Sequence, residues 1–404
     1  MFLLTLLMSL SASAESCDKV TNYRQFFKCS LEKHPEHEIA KLKTADSQAI
    51  VDRSSQWENP DLDLKTVGGE KAGEPVGSVE LSVAIPISQI WVNGARRQVG
   101  RADKRIAELE SQEMSIGAQK KLIVDLYRLR QVDESLELVN EAIGAFGKIR
   151  GQLRGRLARG PEQEITLNLV ELASGDYELR RNHLMVERTN ILSTFKALWG
   201  PNFEIKKEFL PPLKETWPKL SSTESTTSKS LATQRLLAQS EKLIAESSLA
   251  MKESWPTVKI GPTVERTTEG LSQYYSYGFN LNMTLPLFSM NGGARRYAES
   301  QAMQARLLSD FASKRSQLDR TILALKYQSA VDSLRRSTTR EELKKKHNRI
   351  DSLFRQGLAS GGIVIEAHRQ ITEFAESQHE HETAAIDSYI ELKAMNGESI
   401  EEIF

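Results

Sequence analysis

The chain has 404 residues, with 54 Lys and Arg against 54 Asp and Glu, so its formal net charge is zero. That balance excludes a general nucleic-acid binder, which needs a basic surface. With 39% hydrophobic residues and a mean hydropathy of −0.42 it hides no bundle of apolar membrane helices, although a β-barrel span escapes such averages because its apolar residues come only at every second position.

The first apolar run, Met1–Leu10, is too short to span a bilayer. Ser11-Ala12-Ser13-Ala14 follows it, and Ala12-x-Ala14 is an A-x-A cleavage pattern, so residues 1–14 are expected to be a secretory signal peptide, although no Lys or Arg precedes Lys19. Cys17 and Cys29 then close a short loop. In an oxidising compartment such a pair is expected to form a disulfide, worth roughly 3 kcal/mol for a loop of that size; a lipid anchor at Cys17 is the alternative.

The twelve prolines leave 87–160, 162–200, 219–255 and 287–404 free. Proline inside a helix costs about 3 kcal/mol, so long helices are expected in those gaps, over about 94–198 and 293–396. Leu136, Val139, Ile143, Phe146, Ile149 and Leu153 step by three and four, and so do Leu122, Leu126 and Leu129. Leu237, Ile244 and Met251 recur by seven, as do Leu236, Leu243 and Ala250. Narrow apolar seams on charged helices suit coiled-coil packing. Between the helical stretches the period drops to two, which predicts strands at about 59–67, 78–88, 256–266 and 274–288. Leu62 and Leu64 alternate with Asp61, Asp63 and Lys65; Leu81 and Val83 with Glu80; Phe279, Leu281 and Met283 with Asn280 and Asn282. The polar or Gly-rich stretches 68–77 and 267–273 read as hairpin loops. Trp57, Trp91 and Trp255 fall at the helix-side ends of the strands.

The order helix, strand, strand, Pro, Gly-Ala-Arg-Arg, long helices, Gly occurs twice at an offset of about 200 residues. Glu80-Leu-Ser-Val-Ala-Ile-Pro86 answers Asn280-Leu-Asn-Met-Thr-Leu-Pro286, and Asn93-Gly94-Ala95-Arg96-Arg97 answers Gly292-Gly293-Ala294-Arg295-Arg296. The expected organisation is a first repeat over 15–200, a linker rich in Pro, Ser, Thr and Lys over 201–227, a second repeat over 228–397 and a tail over 398–404.

On the segment Phe279 to Arg296, its earlier copy, and the turns near Gly160 and Gly357, the chain resembles the TolC-like outer membrane factors, including the CusC and CzcC branch. The resemblance covers nearly the whole mature chain. It implies an α+β fold of long coiled-coil helices forming a periplasmic tunnel, with four strands per protomer given to a trimeric twelve-stranded outer-membrane barrel. It implies no cofactor, and as partners two sister chains, a periplasmic adaptor, an inner-membrane pump and outer-membrane lipid. Physics points the same way: four strands cannot close, and an open edge in lipid leaves unpaired backbone groups at several kcal/mol each. In such a barrel Leu62, Leu64, Leu81, Val83, Phe279, Leu281 and Met283 are expected to face lipid. Asp61, Asp63, Lys65, Glu80, Lys259, Asn280 and Asn282 are expected to face the lumen, and the tryptophans would form an interfacial belt. The resemblance further implies adaptor-contacting helix tips at Arg156, Arg159, Gly160 and Pro161 and at Arg355, Gly357, Leu358, Ser360 and Gly361. It also implies an acidic constriction drawn from Glu162, Glu164 and Glu366.

His379-Glu380-His381-Glu382 invites a metal reading, but i and i+2 point to different faces of a helix, so a solvated helix face is expected and no metal site. No Ser/His/Asp or Cys/His constellation is visible, which speaks against an enzyme. The expected function is a passive outer-membrane exit duct of a tripartite efflux pump or type I secretion system in a Gram-negative bacterium. The alternative is a periplasmic coiled-coil adaptor or scaffold without a barrel.

Overall fold

In the computed structural model the described residues are 17, 20–71, 73–155, 160–213, 216–220, 230–285, 292–398 and 400. In chain order they form α1 (Tyr23–Glu32), α2 (Pro35–Ser54), β1 (Asp61–Lys71), β2 (Glu74–Pro86), α3 (Gln89–Arg154), α4 (Pro161–Trp199), a single 3-10 turn at Lys207–Phe209, α5 (Leu231–Glu253), β3 (Thr257–Glu269), β4 (Ser272–Thr284), α6 (Gly292–Arg336), α7 (Arg340–Arg355) and α8 (Gly361–Met395). Among the described residues, no helix is long and apolar enough to cross a membrane. Residues 1–14, expected to be a signal peptide, lie outside the described residues, as do Arg156, Arg159 and Pro286. The chain divides into two units. One comprises Ala40–Gln112 and Lys229–Ser316, the other Met1–Ile39, Glu113–Ser228 and Gln317–Phe404.

The first unit carries one antiparallel sheet in the order β1-β2-β3-β4. The strands run further than the alternation alone predicts: β1 continues through Gly68-Gly69 to Lys71, and β4 starts at Ser272. Once the apolar halves fix a register, the backbone ladder carries on through residues with no pattern of their own. Conversely β2 ends at Pro86 and α3 begins at Gln89, so the expected strand to residue 88 is too long. The two hairpins share one register: moving both partners of Leu62–Val83 on by 198 residues gives Ile260–Leu281, itself a pair.

In α5 the expected seams at Leu237, Ile244 and Met251 and at Leu236, Leu243 and Ala250 are not the buried ones. The buried positions are Leu231, Thr233, Ala238, Ser240 and Ala245, while Ile244 and Met251 are exposed. Apart from Leu231 the buried positions are small, and Leu236, Leu237 and Leu243 are only half-buried.

The second unit is a helical bundle with a core made as the spacing predicts. Val139, Ala142, Phe146, Ile149 and Leu153 of α3 pack with Leu167, Val170 and Tyr177 of α4 and Val364 of α8, with Ile350 and Phe354 of α7 against them. The helical stretch expected over 293–396, with its turn near Gly357, is interrupted twice. The first break, at 337–339, is stabilised at both ends. Thr339 caps α7 by accepting from the Glu342 backbone N–H at 3.3 Å, and the Gln378 amide of α8 donates to the Thr338 carbonyl at 3.0 Å. The second break is the turn at Gly357.

The linker is not a free connection. Phe26 of α1 is fully buried among Phe195, Trp199, Phe203 and Phe209, with ring centroids 5.0–5.7 Å away. Further on, Arg130 donates to the carbonyls of Pro211 and Pro212 at 3.2 and 2.9 Å, and the Tyr327 hydroxyl donates to the Pro218 carbonyl at 2.6 Å. Residues 203–213 and 216–218 therefore strap across the bundle. Cys17 is joined to Cys29 of α1 by a disulfide, which ties the chain ahead of α1 onto the same aromatic cluster.

Candidate functional site

The sheet has two unlike faces. Residues opposite one another in an antiparallel ladder share a face, so the register decides which residues lie together. Leu64 pairs with Leu81, Leu81 with Val264 and Val264 with Tyr277; Ile85 pairs with Ile260 and Ile260 with Leu281. One face thus carries Leu62, Leu64, Leu81, Val83, Phe279, Leu281 and Met283. The other carries Asp61, Asp63, Lys65, Glu80, Lys259, Asn280 and Asn282. In a water-soluble sheet the apolar face is the one that becomes covered. Here it is bare: Phe279 is 84% exposed and Leu281 64%, with Leu62, Leu64, Leu81, Ile85, Ile260, Tyr277 and Met283 also exposed.

The polar face is the one held together by side chains. Lys259 pairs with Asp61, Thr263 donates to Glu80 at 3.1 Å, and Asn280 donates to Ser82 at 3.4 Å across the intervening strand. Gly261 makes that last bond feasible. It stands between Ala84 and Asn280, and a Cβ there would sit 1.6 Å from the Val83 carbonyl oxygen. Without a side chain the strands close up, β2 approaches β4 across β3, and the sheet curls toward its polar side, with Ser82 and Ala84 buried in the hollow. Such a glycine is a known device for bending a sheet.

Each strand has 11 to 13 residues, enough for a tilted span of a hydrocarbon core, which takes about 9–11. Trp91 and Trp255 lie side by side at the helix-side end, with ring centroids 6.5 Å apart, and Trp57 is exposed just ahead of β1. Among the described residues, both outer strands, β1 and β4, present one edge with no partner strand. Of the two repeated Arg pairs at the helix starts, Arg96 meets Glu58 at 3.2 Å and Glu253 at 3.8 Å.

In the bundle unit the two helical turns lie together. Gly160 opens α4 with Pro161 in its first turn. Gly357 has φ +76°, which a side chain rarely adopts. Its N–H donates to Phe354 at 2.9 Å and that of Leu358 to Leu353 at 2.9 Å, the paired bonds of a Schellman ending. Ser360 then caps α8. Gly361 touches Ile149 of α3 and Thr166 of α4, each within 3.1 Å of where a Cβ would be. Arg355 is exposed, its Nε donating to the Asp351 carbonyl at 3.3 Å, and Leu358 is exposed in the turn.

The acidic candidates differ among themselves. Glu162 and Glu164 are exposed in the first turn of α4, where a helix N-terminus favours negative charge. Glu366 is already matched: Arg369 donates to it twice, at 2.6 and 2.9 Å, and Gln370 at 2.8 Å. These bonds hold its carboxyl down to about 2.

The His379–Glu382 motif is not the solvated face expected of it. His379 and Glu382 are buried while Glu380 and His381 are exposed. Glu382 pairs with Arg130 and accepts from Gln131 at 3.0 Å; the His379 Nε2 lies 3.1 Å from Glu134. Partners on α3, distant in sequence, decide this. Spacing on one helix reveals that two residues point apart but not which of them turns inward. Two further histidines, unremarked in the sequence, are also buried. His347 of α7 and His368 of α8 stand 4.7 Å apart, ring to ring. Burial, followed by the neighbouring His347, holds His368 down to about 4.

Two exposed seams were also missed. On α4, Ile165, Leu172, Leu179 and Val186 recur every seven residues and are 60–72% exposed; on α6, Phe311, Leu318 and Leu325 do the same at 63–66%. The heptad spacing was there to be read.

No protein-family model matches the chain, and no curated protein matches it. Solved structures do. The outer-membrane channel OprN is 13% identical, with a TM-score of 0.73 over 95% of this chain and 91% of that one. CusC, whose structures concern folding and transmembrane channel formation, is 13% identical, with a TM-score of 0.70 over 94% and 92%. The outer membrane protein VceC of Vibrio cholerae is 14% identical, with a TM-score of 0.69 over 93% and 96%. The α+β architecture expected from the sequence is thus the observed one, and over almost its whole length this chain has the fold of these outer-membrane proteins.

Proposed function

We propose that the chain is an outer-membrane channel of a Gram-negative bacterium, the passive exit duct of a tripartite efflux pump or type I secretion system. Three copies close their four-stranded sheets into one twelve-stranded barrel, and the helices continue it as a tunnel into the periplasm. The observation that carries this reading is the inverted sheet, apolar and bare outside, polar and cross-linked inside. In hydrocarbon the bare face gains and the free edges lose, because unpaired backbone groups cost several kcal/mol each there; both requirements are met when β1 of one copy pairs with β4 of the next. A bore lined by Asp61, Lys65, Glu80 and Asn282 would hold water. The tunnel end at Gly160–Pro161 and Gly357–Gly361, with Arg156 and Arg159, would meet a periplasmic adaptor joined to an inner-membrane pump. Glu162 and Glu164 would supply the constriction, with Glu366 contributing less because Arg369 neutralises it.

The heptad seams of α4 and α6 support the same assembly, since each is apolar, continuous and uncovered by its own chain. Replacing Leu172 and Leu179 together by Glu is expected to convert the detergent-solubilised protein from trimer to monomer while its helical circular dichroism is unchanged. Size-exclusion chromatography with multi-angle light scattering reads the outcome. A double variant that stays trimeric removes these seams from the interface, and a wild-type protein that is monomeric in detergent removes the barrel.

A further inference from the structure

The bundle holds a cluster that the channel reading does not use. His347 and Asp351 lie one turn apart on α7, and His368 faces them from α8. Both imidazoles are more than nine-tenths buried, at 5% and 3% exposure. Yet the Nε2 atoms of His347 and His368 have no hydrogen-bond partner. Buried polar atoms in folded proteins are nearly always paired, so two orphaned nitrogens brought together from different helices require a reason. The Asp351 carboxylate lies 4.0 Å from the His347 Nε2, and one ligand atom from each of the three residues falls within 4.8 Å of the others. Glu141 of α3 stands 3.6 Å from the other nitrogen of His347, Nδ1. A carboxylate there favours the proton on Nδ1 and leaves the Nε2 lone pair free, as carboxylates behind metal-bound histidines do.

We propose that His347, Asp351 and His368 bind one divalent transition-metal ion, zinc or a cation of similar softness, which clamps α7 to α8 beside the Gly357 turn. Two imidazoles and one carboxylate are donors for zinc, nickel, cobalt or copper(II) and not for calcium or magnesium, which take oxygen. Ligand atoms around a tetrahedral zinc sit about 3.4 Å apart, given bonds of about 2.0–2.2 Å. The three present groups, within 4.8 Å of one another, therefore need to draw in by at most about 1.4 Å, which small rotations of the two imidazoles and of the partly exposed Asp351 side chain supply. The exposed side of Asp351 is the route of entry, and water completes the coordination. Phe146, packed edge-on at 5.6 Å against His368, closes the other side.

The test is a zinc chloride titration of the full-length, detergent-solubilised protein, carrying no polyhistidine tag, by isothermal titration calorimetry. One zinc per chain is expected. His368→Gln is expected to weaken binding at least a hundredfold and Asp351→Asn at least tenfold, whereas His381→Gln, which removes the exposed histidine of α8, is expected to leave it unchanged. Zinc is also expected to slow amide hydrogen exchange over residues 344–370 of the wild-type protein, a readout that needs no variant to fold. Binding unaffected by His368→Gln, binding abolished by His381→Gln, or exchange over 344–370 that zinc does not slow would each overturn the proposal.

Discussion

Arginine in place of Leu81 or Leu281 is expected to destabilise the assembled protein by about 2–4 kcal/mol per copy and to prevent its recovery from the outer-membrane fraction. Leu81 stands between Leu64 and Val264 in one cross-strand row, and Leu281 beside Ile260 and Ile85 two rows further along the same face. A guanidinium in either row has no partner on the apolar face and would be forced into hydrocarbon in all three copies at once. The same substitution at Asn280, one residue from Leu281 but on the polar face, is expected to be tolerated. The comparison matters more than either value. A soluble sheet with an exposed apolar face would accept arginine at 281 more readily than at 280. The measurement is the yield of trimer from outer membranes for the three variants, with Leu281→Arg equal to Asn280→Arg as the contrary outcome.

Glu382→Ala is expected to cost about 3–5 kcal/mol, the usual consequence of leaving one member of a buried pair uncompensated. Arg130 and Glu382 are both buried, and Glu382 also accepts from Gln131. With the carboxylate gone, the guanidinium keeps the carbonyls of Pro211 and Pro212 as hydrogen-bond acceptors, and only the looser ion pair with the half-buried Glu134, at 3.7 Å, is left to match its charge. The strap segment 203–213 is expected to loosen with it, so limited proteolysis should cut there sooner. Replacing both partners by apolar residues of similar size, Arg130→Met with Glu382→Leu, should recover most of the lost stability, because well-packed apolar residues often match a buried ion pair. Chemical unfolding in detergent, followed by helical circular dichroism, reads each variant. A loss below about 1 kcal/mol for Glu382→Ala would mean the pair is not the anchor it looks to be.

Patterns with a short period carried most of the architecture. The period-two runs at Leu62–Leu64 and Phe279–Met283 put four strands in place, and the run from Leu136 to Leu153 marked the helical core. Periodicity names an apolar face without saying what covers it. The seam Ile165-Leu172-Leu179-Val186 is as regular as the buried one on α3, yet the chain leaves it bare. In α5 the search for large residues chose Ile244 and Met251, whereas the face packed within the chain is made of Ala238 and Ala245. The break before α7 carried a local signal, Thr339-x-x-Glu342, the spacing of a capping box. The strap from Phe203 to Pro218 carried none, because its anchors, Phe26, Arg130 and Tyr327, lie 80 to 180 residues away in the chain. His347 and His368 are close in the chain but on consecutive helices, and they meet only once α7 and α8 are side by side.

The most direct measurement is thiol accessibility along β4 in outer membranes. Single cysteines placed at 276 to 283 are exposed in turn to a membrane-impermeant maleimide. Labelling at 276, 278, 280 and 282, with protection at 277, 279, 281 and 283, is the result predicted for a strand with one side to water and the other to lipid. Uniform labelling, or protection of the even positions instead, would contradict it.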